Sequence, residues 1–310
     1  MNTLSNLIDE YLQYCHVRKC LDAKTLRAYR ADLNDFQQFT EHRNVSFLDK
    51  RAIGDYVDAL HDTKAPRTVK RKICSLQAFY HYLLRTEEIA DNPLQRLDLS
   101  FKLPQRLPRY IPNHILNQFY QELYAQIDNA ATPYQLKCAV RNVAVIELLF
   151  ATGLRISELC DLTQESVNLY EREIRIHGKG NKERMIHLTE TVTIDALTKY
   201  TLLFENEMVK SEYFFLNKCG RQLSPQSVRN MINHLTNIAS ISLHITPHMF
   251  RHSFATGLVN QDVDIRCIQE ILGHSSIRTT EIYTHVDLSK QKSVLETKNP
   301  RKLLQIHHAS

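Results

Sequence analysis

The sequence predicts a mainly α protein, with a helical bundle first and then a mixed, α-rich domain holding a small antiparallel sheet. Three observations carry this. Apolar residues recur at helical spacing from the start of the chain, as in Leu4, Leu7, Ile8, Tyr11 and Leu12, the period of a helix with one buried face. Only residues 173–177 and 184–188 alternate with the two-residue period of strands, and they flank a Gly178-Lys179-Gly180 turn, which reads as a hairpin. Glycine is scarce, 7 in 310 residues, as suits helices joined by short connections. The length allows two domains with ample core.

Residues 1–98 read as a four-helix unit. The second helix carries Leu26, Tyr29, Leu33 and Phe36 behind an Asp22 N-cap, whose carboxylate can accept from the open amides of the first turn. A shorter third helix is expected from about Leu48 to Leu60, and a fourth with Val69, Ile73, Leu76, Tyr80 and Leu83 inward. Residues 99–112 place prolines at 104, 108 and 112. That spacing forbids a regular helix and favours an extended linker. The second domain is expected over 113–310. Within it, Val143, Val145, Ile146, Leu148, Leu149 and Phe150 form a strongly apolar segment, as a buried core helix does, and Thr152-Gly153 supplies a natural helix end. Arg155 follows at once, between that helix and a new start at Ser157-Glu158-Leu159. Helices are expected over 191–209 and 224–239. Ser224-Pro225 and Thr246-Pro247 pair an N-cap residue with a proline at the first helical position. His248 and Arg251 then share a face. Residues 264–272 form a short helix closed by Gly273, Ser275 or Ser276 can cap a helix carrying Tyr283, and a last helix is expected from 287 to about 298, followed by a small apolar-basic tail.

Composition excludes several classes. No apolar run approaches the ~20 residues of a membrane span, and the N-terminus lacks the basic and apolar regions of a signal peptide. The seven cysteines are scattered without a CxxC pair, which suits reduced thiols in a cytoplasm rather than disulfides or a zinc site. Net charge is only +5, yet residues 63–86 and 99–112 are basic without an acid. Such stripes on a near-neutral chain suggest a polyanion bound at defined places. The second helix offers Lys24, Thr25, Arg27 and Arg30, and the fourth opens with Arg67, Thr68, Lys70, Arg71 and Lys72 on its outward face. Basic and hydroxyl side chains at helix starts can hold phosphates of a duplex whose groove the helix enters. An ordinary solvated helix face explains the same charges.

The chemistry-bearing residues suit phosphodiester cleavage by a tyrosine. Attack builds charge on two non-bridging oxygens, and arginine is planar, always charged and bidentate; Arg155 and Arg251 are the candidates. Lys179 on the hairpin can protonate the leaving 5′ oxygen as general acid. Tyr283, with an ordinary pKa of about 10, must lose its proton as it attacks; His248 can accept it, and His274 can hydrogen-bond the phosphate. No metal or nucleotide cofactor is needed. Each residue alone has a plainer reading: a helix-start ion pair for Arg155, core histidines at 248 and 252, a core tyrosine at 283. A metal site from His244, His248 and His252 is disfavoured, because Pro247 interrupts the helical register and no acidic or cysteine ligand lies near.

Taken together, the order Arg155, Lys179, His248-x-x-Arg251, His274, Tyr283 resembles that of the tyrosine recombinases of the phage integrase family. The wording around these residues is similar too: Ala151-Thr152-Gly153-Leu154-Arg155-Ile156-Ser157-Glu158-Leu159, then His177-Gly178-Lys179-Gly180-Asn181-Lys182-Glu183-Arg184, Pro247-His248-Met249-Phe250-Arg251-His252 and Leu272-Gly273-His274-Ser275-Ser276. The likeness is greatest to the Xer-type branch and spans nearly the whole chain. It implies a SAM-like core-binding bundle joined to a catalytic domain in a clamp on double-stranded DNA. It also implies a 3′-phosphotyrosyl link on Tyr283 and strand exchange through a Holliday junction by a tetramer, of this chain alone or with a paralogous recombinase. Residues after about Asp287 would dock on a neighbouring protomer. No arm-binding domain is expected ahead of the bundle, since helical patterning starts at Leu4. Residues 191–245 carry no motif and read as scaffold. Chromosome-dimer resolution and mobile-element integration both remain open at this level. A catalytically silent DNA-binding factor on the same scaffold would lack one of the six residues, and none is missing. A relaxing topoisomerase would share the phosphotyrosine chemistry.

Overall fold

A computed structural model describes residues 3–95, 97–101, 110–177, 183–273 and 294–303. The chain separates into two compact units, residues 1–106 and 107–310. The linker prolines 104 and 108, Lys179, His274 and Tyr283 lie outside the described residues.

The first unit is built from α1 (Leu4–Val17), α2 (Ala23–Arg43), α3 (Lys50–Thr63) and α4 (Pro66–Arg85). Side-chain caps set three of the starts: Thr3 accepts from the Asn6 amide at 3.3 Å, Asp22 from Thr25 at 2.8 Å and Asp49 from Arg51 at 2.9 Å. The Asp49 cap explains why α3 begins two residues later than its apolar pattern suggests. Leu7, Ile8, Leu33, Phe36, Ile53, Val69, Leu76 and Phe79 fill the core. Lys72 departs from expectation. It is buried rather than outward, with its Nζ 2.9 Å from Asp35 and 3.3 Å from Asp32. Position 72 lies one turn from both Val69 and Leu76, so the helix carries it onto the core side. Asp32 is itself buried and also takes the Arg71 guanidinium and the Ser75 hydroxyl.

In the second unit α6 (Pro133–Thr152) is central, touching α5 (Asn113–Asp128), α8 (Thr191–Met208) and α10 (Pro247–Val259). A Thr132/Gln135 capping box opens it, and every residue from Val143 to Thr152 is buried. It ends at Gly153 with φ 62°. A Cβ there would stand 2.6 Å from Phe254 and 2.7 Å from Leu272, so both conformation and space require glycine. The short α7 (Ile156–Cys160) follows. The hairpin strands are β2 (Glu173–His177) and β3 (Glu183–His187), and an unforeseen short strand β1 (Val167–Asn168) makes an antiparallel β1-β2-β3 sheet. Ile174 pairs with Ile186 and Ile176 with Arg184. The helices α9 (Pro225–Ile238) and α11 (Ile265–Leu272) complete the scaffold; Ser224 caps α9 as expected, whereas Thr246 makes no side-chain cap before α10.

Residues 294–298 are helical and Pro300–Leu303 form a 3-10 turn. This segment is seated on its own unit. Leu295 is fully buried, Asn299 donates to the Ala151 carbonyl at 3.1 Å, and Pro300 abuts Gly257. Arg301, read from sequence as part of a basic tail, is buried; it donates to Glu147 at 2.7 and 2.8 Å and lies over the Tyr120 ring.

Candidate active site

Arg155 and Arg251 reach one place from different elements. Arg155 is held in extended conformation between α6 and α7. Its Nη2 donates to the Gly273 carbonyl at 3.0 Å and its Nη1 to Glu158 at 2.7 Å. Arg251, on α10, donates to the Leu272 carbonyl at 2.7 Å and the Gly153 carbonyl at 2.6 Å. The acceptors sit at the C-terminal ends of α6 and α11, where unpaired carbonyls carry the negative end of each helix dipole. Two helices that end in left-handed glycines, Gly153 and Gly273, thus aim both guanidiniums. The Arg251 residue is only 6% exposed, and among the described residues no carboxylate pairs with it. Burial, then the nearby Arg155 charge, lowers its pKa to about 10, so it stays charged at neutral pH.

Glu158 binds the cluster together. It accepts from the Arg155 amide at 2.9 Å and from Arg184 at 3.1 and 2.8 Å. Burial alone would raise its carboxyl; the bonds from Arg184 and the Arg155 backbone outweigh this and bring it down to about 2. The helix-start ion pair of Arg155 is therefore real, but half-buried rather than superficial, with Glu158 on the buried side. Arg184 was not singled out from the sequence. The available signal was its register: in the alternating run 184, 186, 188 it shares a face with Ile186 and Leu188, both of them buried.

His248 lies one turn before Arg251 on α10. The residue keeps solvent exposure, yet its imidazole is held below its ordinary pKa, first by partial burial of the ring and then by His252, Arg251, Arg229 and Arg155. The neutral ring, a proton acceptor, is favoured. Of the six expected catalytic residues, the described part thus gathers Arg155, His248 and Arg251; Lys179, His274 and Tyr283 fall outside it.

The expected DNA contacts lie in the first unit. Lys24, Arg27 and Arg30 are exposed on α2, and Arg67, Lys70 and Arg71 on α4. Several are already engaged: Arg30 with Asp9 at 2.8 Å, Arg71 with Asp32, and the Thr25 hydroxyl with Asp22 at 3.1 Å. Exposed pairs such as Arg30–Asp9 are weak.

Residues 115–290 match the profile of the phage integrase family, and residues 8–87 match its N-terminal SAM-like domain. A tyrosine recombinase of Agathobacter rectalis is 46% identical over 97% of this chain and 99% of its own length. The tyrosine recombinase XerD of Staphylococcus aureus is 36% identical over 96% and 100%. Two solved structures share the fold. XerH in a post-cleavage complex with palindromic difH substrate has TM-score 0.68 at 21% identity, covering 97% of this chain and 83% of that one. A lambda integrase(75-356) dimer bound to a COC′ core site has TM-score 0.66 at 15% identity, covering 92% and 100%.

Proposed function

From the premise that this chain belongs to the phage integrase family of tyrosine recombinases, we propose how its residues divide the work of a site-specific DNA recombinase. The enzyme cuts and rejoins DNA through a 3′-phosphotyrosyl intermediate. The Tyr283 oxygen attacks the scissile phosphorus, and the 5′ oxygen of the leaving strand departs. His248, kept neutral, takes the tyrosine proton. Lys179 gives a proton to the departing 5′ oxygen. Arg155 and Arg251 each meet a non-bridging oxygen, where charge grows. His274 adds a hydrogen bond to the same phosphate. The free 5′ hydroxyl of a partner strand then attacks the phosphotyrosine, releases Tyr283 and restores the diester. One phosphoester replaces another, so no ATP is consumed, and two rounds pass through a Holliday junction.

The observation that carries this reading is the convergence of Arg155 and Arg251 on the consecutive carbonyls of Leu272 and Gly273, next in sequence to His274. A buried arginine without an acid partner is costly unless an anion completes it. Lys24, Thr25, Arg27, Arg30, Arg67, Lys70 and Arg71 supply phosphate contacts from the first unit, and residues 99–112 serve as the linker between the DNA-binding and catalytic domains. We place the reaction in the cytoplasm, on a tetramer of this chain alone or with a paralogous recombinase, acting in chromosome partition or on a mobile element. The C-terminal segment joins protomers. With 294–303 seated on their own unit, that contact falls to other residues after about Asp287 or requires the Arg301–Glu147 seat to be given up.

A nicked suicide substrate, which traps the cleaved strand on the protein, tests the reading. The unaltered protein forms a covalent adduct; Tyr283→Phe binds the same DNA with similar affinity and forms none. An undiminished adduct from Tyr283→Phe overturns it.

A further inference from the structure

Arg184 stands on β3 opposite Ile176, in the register that pairs Ile174 with Ile186. It therefore lies on the sheet face that carries three isoleucines into the core. An arginine in that register is expensive to desolvate, and its surroundings do not fully repay it. Two of its nitrogens take both oxygens of Glu158, at 3.1 and 2.8 Å. Its Nε is buried with no hydrogen-bond partner among the described residues. Its guanidinium also lies against Gly273, where a Cβ would stand 2.8 Å from Nη1.

The charge balance is unequal. Glu158 is one carboxylate shared by Arg155 and Arg184, and Arg251 beside them has no acid partner among the described residues. Moreover, Glu158 is the group against which Arg155 is aligned, through both its backbone amide and its Nη1. Without Arg184, the carboxylate would keep only its contacts to the Arg155 amide and Nη1, and its whole charge would fall on Arg155.

We propose that Arg184 is a positioning residue for strand cleavage: by occupying both Glu158 oxygens it fixes the carboxylate that orients Arg155 and leaves the Arg155 charge available to the scissile phosphate. This rests on the reading of Arg155 as a phosphate ligand.

The test compares adduct formation on two suicide duplexes, one with an ordinary scissile phosphate and one with a methylphosphonate there, which lacks the charge an arginine must meet. The proteins are the unaltered chain, Arg155→Ala, Arg184→Ala and Arg184→Lys, each checked for DNA affinity and thermal melting. On phosphate, Arg184→Ala slows adduct formation by about 100-fold, the scale of a misplaced reacting group, with DNA affinity retained. On methylphosphonate the loss is much smaller and parallels that of Arg155→Ala. Arg184→Lys keeps the charge without the two-pronged contact, recovers only part of the rate, and carries the same comparison if the alanine variant does not fold. Equal losses of the Arg184 variants on both substrates, beside a substrate-sensitive Arg155→Ala, overturn the assignment alone. Equal losses of Arg155→Ala on both substrates overturn the phosphate reading of Arg155 and this assignment with it.

Discussion

His248 shows how a single side chain is tuned by its neighbours. Basic side chains act on it from three elements: His252 and Arg251 on its own α10, Arg229 on α9 and Arg155 ahead of α7. Partial burial of the ring disfavours its protonation first, and a further positive charge beside the three arginines is disfavoured as well. A histidine with a depressed pKa stays neutral to lower pH than usual, so a base in this role keeps working there. Single-turnover adduct formation followed against pH is expected to show an acid limb with its midpoint below the ordinary imidazole value of about 6.5, and His248→Gln to remove that limb. A midpoint above that value contradicts the base assignment. The same residue scale holds the limit of sequence reading. Arg155 and Arg251 were legible because their chemistry and spacing are distinctive. Arg184 was hidden in a strand whose apolar alternation it interrupts, and Lys72 was misread as outward because basic residues crowd the start of α4.

At the scale of elements, helix ends do the positioning. Gly153 and Gly273 stop α6 and α11 in the left-handed conformation and turn their last carbonyls onto the two arginines. Gly153→Ala meets both penalties, a positive φ costing roughly 1–2 kcal/mol and a Cβ pressed on Phe254 and Leu272. It is expected to lower stability by about that much or more, read as a denaturant midpoint, and to impair cleavage more than DNA binding. An unchanged midpoint contradicts the account of this helix end. Most elements were readable from apolar periodicity and capping residues, including the Asp22 and Ser224 caps. Strand β1 was not, because two residues give no period. Nor was the seat of Arg301, because its partner Glu147 lies 154 positions away and looks from sequence like an isolated acid in an apolar helix. That pair is buried on both sides, and removing one partner of such a pair costs about 3–5 kcal/mol. Arg301→Ala is therefore expected to lower the melting temperature clearly, and an unchanged melt would count against the 294–303 seat as a stabilising contact.

For the whole molecule, the basic residues of α4 differ in kind. Lys70 is exposed, whereas Lys72 is buried between Asp32 and Asp35. If the first unit holds DNA by its outer face, Lys70→Ala weakens binding uniformly across sequences and reduces the slope of log affinity against log salt by about 1. Lys72→Ala leaves that slope unchanged and lowers stability instead. Equal effects of the two substitutions on the slope contradict the proposed footprint.

The chemistry turns on which atom becomes joined to DNA. The chain has 14 tyrosines, so the site is open to direct measurement: the trapped adduct is digested with protease and nuclease, and the nucleotide-bearing peptide is identified by mass. The result predicted is a 3′-phosphate linked to Tyr283. A link on any other residue, or through a 5′-phosphate, contradicts it.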